Sequence, residues 1–73
     1  MSPRLPALTG KQLVDILRRH GFEPTRQSGS HVIMKHPDGR RTTVPVHSSR
    51  DLGRGLLGRI MRDADITADD LIG

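Results

Sequence analysis

The apolar residues of this chain change period twice, and that change limits the fold more than any other feature. Leu13, Ile16 and Leu17 recur at helical spacing, with Val14 alongside. From Glu23 to His47 the pattern alternates instead, in short runs separated by turn residues. After His47 the helical period returns in Leu52, Leu56, Leu57, Ile60, Met61 and Ala64, with Arg54, Arg59 and Arg62 largely off that stripe. A chain of 73 residues built this way holds one domain with one modest core.

The ends of the first helix are written in the sequence. Thr9 can cap it, with Gln12 three residues on as the return arm of a capping box. Gly21 follows His20 as the glycine expected just past a helix, and Phe22 would then meet Leu17, the apolar contact of a Schellman ending. The spacing predicts a helix over 9–20, preceded by an N-terminal arm over 1–8.

Pro24, the Ser28-Gly29-Ser30 cluster and Pro37-Asp38-Gly39 punctuate three strand segments, at about 23–27, 31–36 and 41–46. Pro37 suits the second position of a turn, and Gly39 can take the positive φ that closes a hairpin. On the third segment Thr42, Val44 and Val46 share one face, while Arg41, Thr43 and Pro45 share the other. Pro45 cannot donate a ladder hydrogen bond, which points to an edge strand or a bulge. A second helix is predicted over about 55–64, because Gly53, Gly55 and Gly58 each weaken its start by about 1 kcal/mol. Residues 65–73 read as an acidic C-terminal tail, in which Thr67 and Asp70 repeat a capping signal over barely one turn. The predicted architecture is α+β: a three-stranded antiparallel sheet with two helices on one face, in a single domain spanning 1–73.

Composition removes several function classes. The chain has no cysteine, so neither a disulfide framework nor a thiolate metal site can hold it together. Its longest apolar run, Val32-Ile33-Met34, is far short of the roughly 20 residues of a membrane span. No apolar signal segment opens the sequence, so the cytoplasm is the expected location. Residues 1–62 carry all twelve bases but only four acids, a local excess of eight, and ten of the twelve are Arg, whose planar fork suits phosphate oxygens. That balance suits a polyanion, although a small domain can also be basic for solubility alone. Phe22 is the only aromatic residue, which argues against modules that stack bases on aromatic rings.

Histidine supplies the candidate chemistry, as His20, His31, His36 and His47. His20, in the last helical turn, reads as a cation complementing the helix dipole. His36, before Pro37, is expected to be solvated. His31 follows Gly29 and Ser30, where backbone amides can be approached closely by an anionic oxygen, and Arg26 lies on the neighbouring segment, able to steer phosphate. An imidazole there can take and give a proton at neutral pH, or serve as a hydrogen-bonded structural group. His47 is its only reasonable imidazole partner. His31 and His36, five apart in an extended segment, point to opposite faces, so a metal site is not expected.

Four runs then stand in order along the chain: Arg26-Gln27-Ser28-Gly29-Ser30-His31, His36-Pro37-Asp38-Gly39, Thr43-Val44-Pro45-Val46-His47, and Gly55 through Ile66. Together they resemble the HicA toxin family. The resemblance implies a fold like that of double-stranded-RNA-binding domains, α-β-β-β-α. It also implies a metal-independent, cofactor-free endoribonuclease that cleaves mRNA and is paired with a HicB-type antitoxin covering its active site. No membrane partner is expected, and the free toxin is expected to be a monomer. His31 falls on the family's catalytic histidine. Arg26, Ser28, Gly29, Ser30, Lys35 and His47 are the expected phosphate contacts. The competing readings are a non-catalytic double-stranded-RNA-binding module and a protein-binding adaptor with a basic surface.

Overall fold

The computed structural model describes residues 5–46 and 49–72. Helix α1 spans Gly10–Arg19. The Thr9 backbone N–H donates to Gln12 Oε1 at 2.9 Å and the Gln12 N–H donates back to Thr9 Oγ1 at 3.2 Å, completing the predicted capping box. A cap of this kind is worth about 1 kcal/mol. At the other end the Phe22 N–H donates to the Leu17 carbonyl and the Gly21 N–H to the Arg18 carbonyl, with Gly21 at φ 93°. This is the expected Schellman ending, and it turns Phe22 into the core, where it is 1% exposed.

The strands are β1 (Glu23–Ser28), β2 (His31–Lys35) and β3 (Arg41–Pro45), antiparallel in the order β1-β2-β3. Gly29 and Ser30 form a two-residue connection between Ser28 and His31, with Gly29 at φ 58° in first place, as a II′ turn requires. The second hairpin closes through a Gly39 N–H to His36 carbonyl bond of 2.9 Å, with Gly39 at φ 101°. A bulge at Thr25 shifts the register between Pro24 and Arg26 and brings Glu23 opposite Lys35. Pro45 lies on an edge strand, as its missing N–H predicted.

Helix α2 spans Arg54–Ala64 and a third helix, α3, spans Ala68–Ile72. Both α1 and α2 pack on β3. The core between helices and sheet consists of Leu13 and Leu17 from α1, Val32, Met34 and Val44 from the sheet, and Leu57, Ile60 and Ala64 from α2. Thr42 is the one buried polar residue among those described, and its hydroxyl donates to Asp63 Oδ2 at 3.1 Å, tying β3 to α2. The segment read as an acidic tail folds back: Thr67 and Asp70 cap α3 reciprocally, and Leu71 enters the core at 6% exposure. The predicted arm likewise ends in the core, with Leu8 buried and its carbonyl accepting the Leu52 N–H at 2.7 Å.

His36 differs from its expected solvated state. Its ring meets Phe22 edge-on at 5.1 Å, and its side chain is 21% exposed. The Arg40 guanidinium stands 5.1 Å over the Phe22 ring, pairs with Asp38 at 2.8 Å and donates to the Ala64 carbonyl at the end of α2. These groups lock the second hairpin to the helical layer. The Arg40 N–H donates to Asp38 Oδ1, and with the guanidinium beside it holds the Asp38 carboxyl below its ordinary value of 3.8.

Candidate functional site

Two helices cover one face of the sheet and leave the other to solvent. Strand alternation sorts the residues between them: Val32, Met34, Thr42 and Val44 point inward and are buried, while His31, Lys35 and Arg41 point outward and are exposed. Cross-strand partners share a face, so the outward residues form three rows. Ser28, His31 and Pro45 make the first, Arg26, Ile33 and Thr43 the second, and Glu23, Lys35 and Arg41 the third.

His31 thus sits at the end of the face that adjoins the Ser28–Ser30 turn. That turn is held from both sides. The Val46 N–H donates to the Ser30 carbonyl at 2.7 Å, and the Gln27 side-chain amide donates to the Gly29 carbonyl at 3.1 Å. Gly29 is exposed, and nothing lies within 4 Å of where a Cβ would stand, so a ligand oxygen can reach the backbone there. Arg26 occupies the next row on the neighbouring strand, diagonal to His31, at a separation of roughly 7–8 Å typical of such pairs. Lys35 lies two rows away, about 13 Å along β2 at ordinary strand rise. His47 lies outside the described residues.

Sequence reasoning placed His31, Arg26, Ser28, Gly29 and Ser30 together, and the structure does bring them to one end of the sheet. It missed Arg41. The signal was present, because Arg41 alternates with Thr42 and Val44 on a strand whose inner face was already recognised. Arg26, Lys35 and Arg41 have no ion pair among the described residues, so their charge is available to a ligand. Glu23 is the one acid in the three rows.

A groove of about 570 Å³ lies elsewhere, between α1 and α3, lined by Leu8 before α1 and by residues that include Ile16, Leu71, Asp69 and Asp70. Three carboxylates, Asp15, Asp69 and Asp70, line it together with Arg19 and His20, so it lacks the basic excess of the outer sheet face that a polyanion would favour. Asp70 is held below the ordinary carboxylate value by the Thr67 N–H it accepts, with His20 contributing. Among the described residues no group of three or more His, Asp or Glu is placed to hold a metal ion. Among the described residues no helix is long and apolar enough to cross a membrane.

The family model described as the HicA toxin of bacterial toxin-antitoxin systems matches residues 10–66, which takes in α1, the whole sheet and α2. No curated protein matches the chain. The family match and the α-β-β-β-α order agree with the resemblance carried by the Gly-Ser-His and Pro-Val-His runs. The chain therefore belongs to the HicA toxin family and is a toxin of a bacterial toxin–antitoxin system, with a cognate antitoxin as its partner.

Proposed function

We propose that this toxin is an endoribonuclease that cleaves mRNA by internal transfer, with His31 moving a proton at the reacting ribose or leaving group. The observation that carries this reading is the exposed imidazole of His31 at the open Gly29 turn, on the same face as Arg26, which has no ion pair among the described residues. In the reaction a base removes the proton of a ribose 2′-OH, and that oxygen attacks the adjacent phosphorus. The bond from phosphorus to the 5′-oxygen breaks, and an acid protonates the departing oxygen. The products are a 2′,3′-cyclic phosphate and a 5′-hydroxyl. The nucleophile belongs to the substrate, so the pathway needs no metal-activated water.

Arg26 and the approachable backbone of Ser28, Gly29 and Ser30 would stabilise the charge that builds on the phosphorane oxygens. The second proton role falls to His47 or Ser30. The requirement for a 2′-OH restricts the substrate to RNA. A HicB-type antitoxin, acidic where it meets the rows of Arg26, Lys35 and Arg41, would silence the toxin by covering His31. The site of action would be the cytoplasm, where mRNA is found, and the free toxin would act as a monomer.

Incubation of the purified protein with labelled single-stranded RNA in EDTA tests the reading. Cleavage with cyclic-phosphate ends supports it. Retention of RNA without cleavage would instead establish a binding module, and absence of both would establish a protein-binding adaptor.

A further inference from the structure

Proton transfer at His31 involves one end of the outer sheet face, and the rows beyond it, which the antitoxin would cover in the silent toxin, are free to meet RNA once it leaves. Arg41, Lys35, Ile33 and Thr43 lie there, the two cations fully at the surface and the other two half-buried. Rows on this face are two residues apart, which is about 6.6 Å at ordinary strand rise. That interval is close to the separation of successive phosphates along an extended single strand of RNA. From the His31 row, the first step reaches Arg26 and the second reaches Lys35 and Arg41. The cations the sheet supplies therefore lie on one side of His31.

We propose that the outer face is a one-sided phosphate track, in which Arg26 holds the first phosphate beyond the scissile one and Lys35 with Arg41 holds the second. Arg41 is then a positioning residue for cleavage. The proposal rests on His31 marking the reacting phosphate. Between the cations the floor is Ile33 and Thr43, and the chain's only aromatic ring, Phe22, is buried in the core. The face consequently grips the backbone rather than stacking bases, and its hold on RNA is tolerant of sequence. Glu23, opposite Lys35 in the third row, weakens that hold.

Cleavage is measured on RNA oligonucleotides with one cleavable step, lengthened one nucleotide at a time on either side. In the wild type kcat/KM should rise over two added phosphates on one side, then level off, and stay flat on the other. The Lys35→Ala/Arg41→Ala double variant should lose the gain from the second phosphate only. Arg59→Ala, an exposed change on α2, should lose neither. Affinity for uncleaved RNA, measured on a His31→Ala background, should show a log–log salt slope shallower by about 0.7 in the double variant, the loss of one single-strand phosphate contact. Glu23→Gln should tighten binding. Equal gains on both sides, or a double variant with wild-type length dependence, would overturn the track. Undiminished cleavage by His31→Ala would overturn the site reading itself, so the two failures are separable.

Discussion

Replacing Gly10 with alanine sets two effects of opposite sign against each other. Alanine is the better helix former by at most about 1 kcal/mol, and Gly10 is the first residue of α1. A Cβ at this position would stand 1.8 Å from the Pro45 carbonyl oxygen, 2.9 Å from the Pro45 carbonyl carbon and 3.2 Å from Val46 Cα. All three atoms are backbone, so no side chain can swing aside. Relief requires moving the start of α1 away from the end of β3. That helix also carries Leu13 and Leu17, both fully buried, so the motion opens the core. Overpacking costs about 1–3 kcal/mol, and two unyielding backbones place this site at the upper end. The net is a destabilisation of about 2 kcal/mol, against a total stability of about 4–11 kcal/mol for a domain of this length. Thermal unfolding followed by circular dichroism should show a Tm lower by roughly 8–16 °C. Gly58→Ala is the matched control: in α2 the nearest atom to the new Cβ is Arg62 Nη1 at 3.8 Å, so propensity acts alone and stability should rise by about 1 kcal/mol. If Gly10→Ala stabilised the protein as Gly58→Ala does, the close approach of α1 to β3 would be refuted.

Other consequences follow from the packing and the caps. Arg40→Ala should cost about 1–2 kcal/mol in chemical denaturation by removing the bond to Ala64 and the contact with Phe22. RNA cleavage by the folded fraction should be unaffected, since the hairpin of Arg40 lies at the opposite end of β2 from His31. Asp65 closes α2 in the left-handed region at φ 54°, so Asp65→Gly should raise stability by about 0.5–1 kcal/mol, read from the urea midpoint. Asp38 and Asp70 have carboxyls held below 3.8 in the folded protein, the first by the Arg40 N–H and the second by the Thr67 N–H. A depressed folded value means that their stabilisation is present above pH 3.8 and is lost as pH falls through the folded values. A stability profile from pH 6 to 2 should therefore fall at its acid end, and Asp38→Asn should flatten part of that fall.

The elements were legible because their signals are local. Thr9 with Gln12, Gly21 with Phe22, and the glycines of the two hairpin turns each act within six residues of chain, and each does what its chemistry dictates. What was not legible depends on pairs far apart in sequence. Arg40 reaches Ala64 across 24 residues, which no periodicity announces, and the same cluster half-buries His36. The short α3 looked marginal in isolation because its stability comes from Leu71 in the core, not from helix propensity. For the candidate site, alternation was enough to put His31 and Lys35 on one face. The bulge at Thr25 that sets Glu23 against Lys35 carries no marker in the sequence beyond a nearby proline.

The central claim is that His31 transfers a proton during RNA cleavage, and single-turnover cleavage of one labelled RNA by wild type and His31→Ala tests it most directly. His31 is exposed at the start of β2, so its truncation should leave stability within about 1 kcal/mol, and unfolding of the same samples checks that. The account predicts cleavage lower by at least about 100-fold, the lower bound for losing a general acid or base, with RNA affinity largely retained through Arg26, Lys35 and Arg41. Cleavage by the folded His31→Ala variant at the wild-type rate would contradict it.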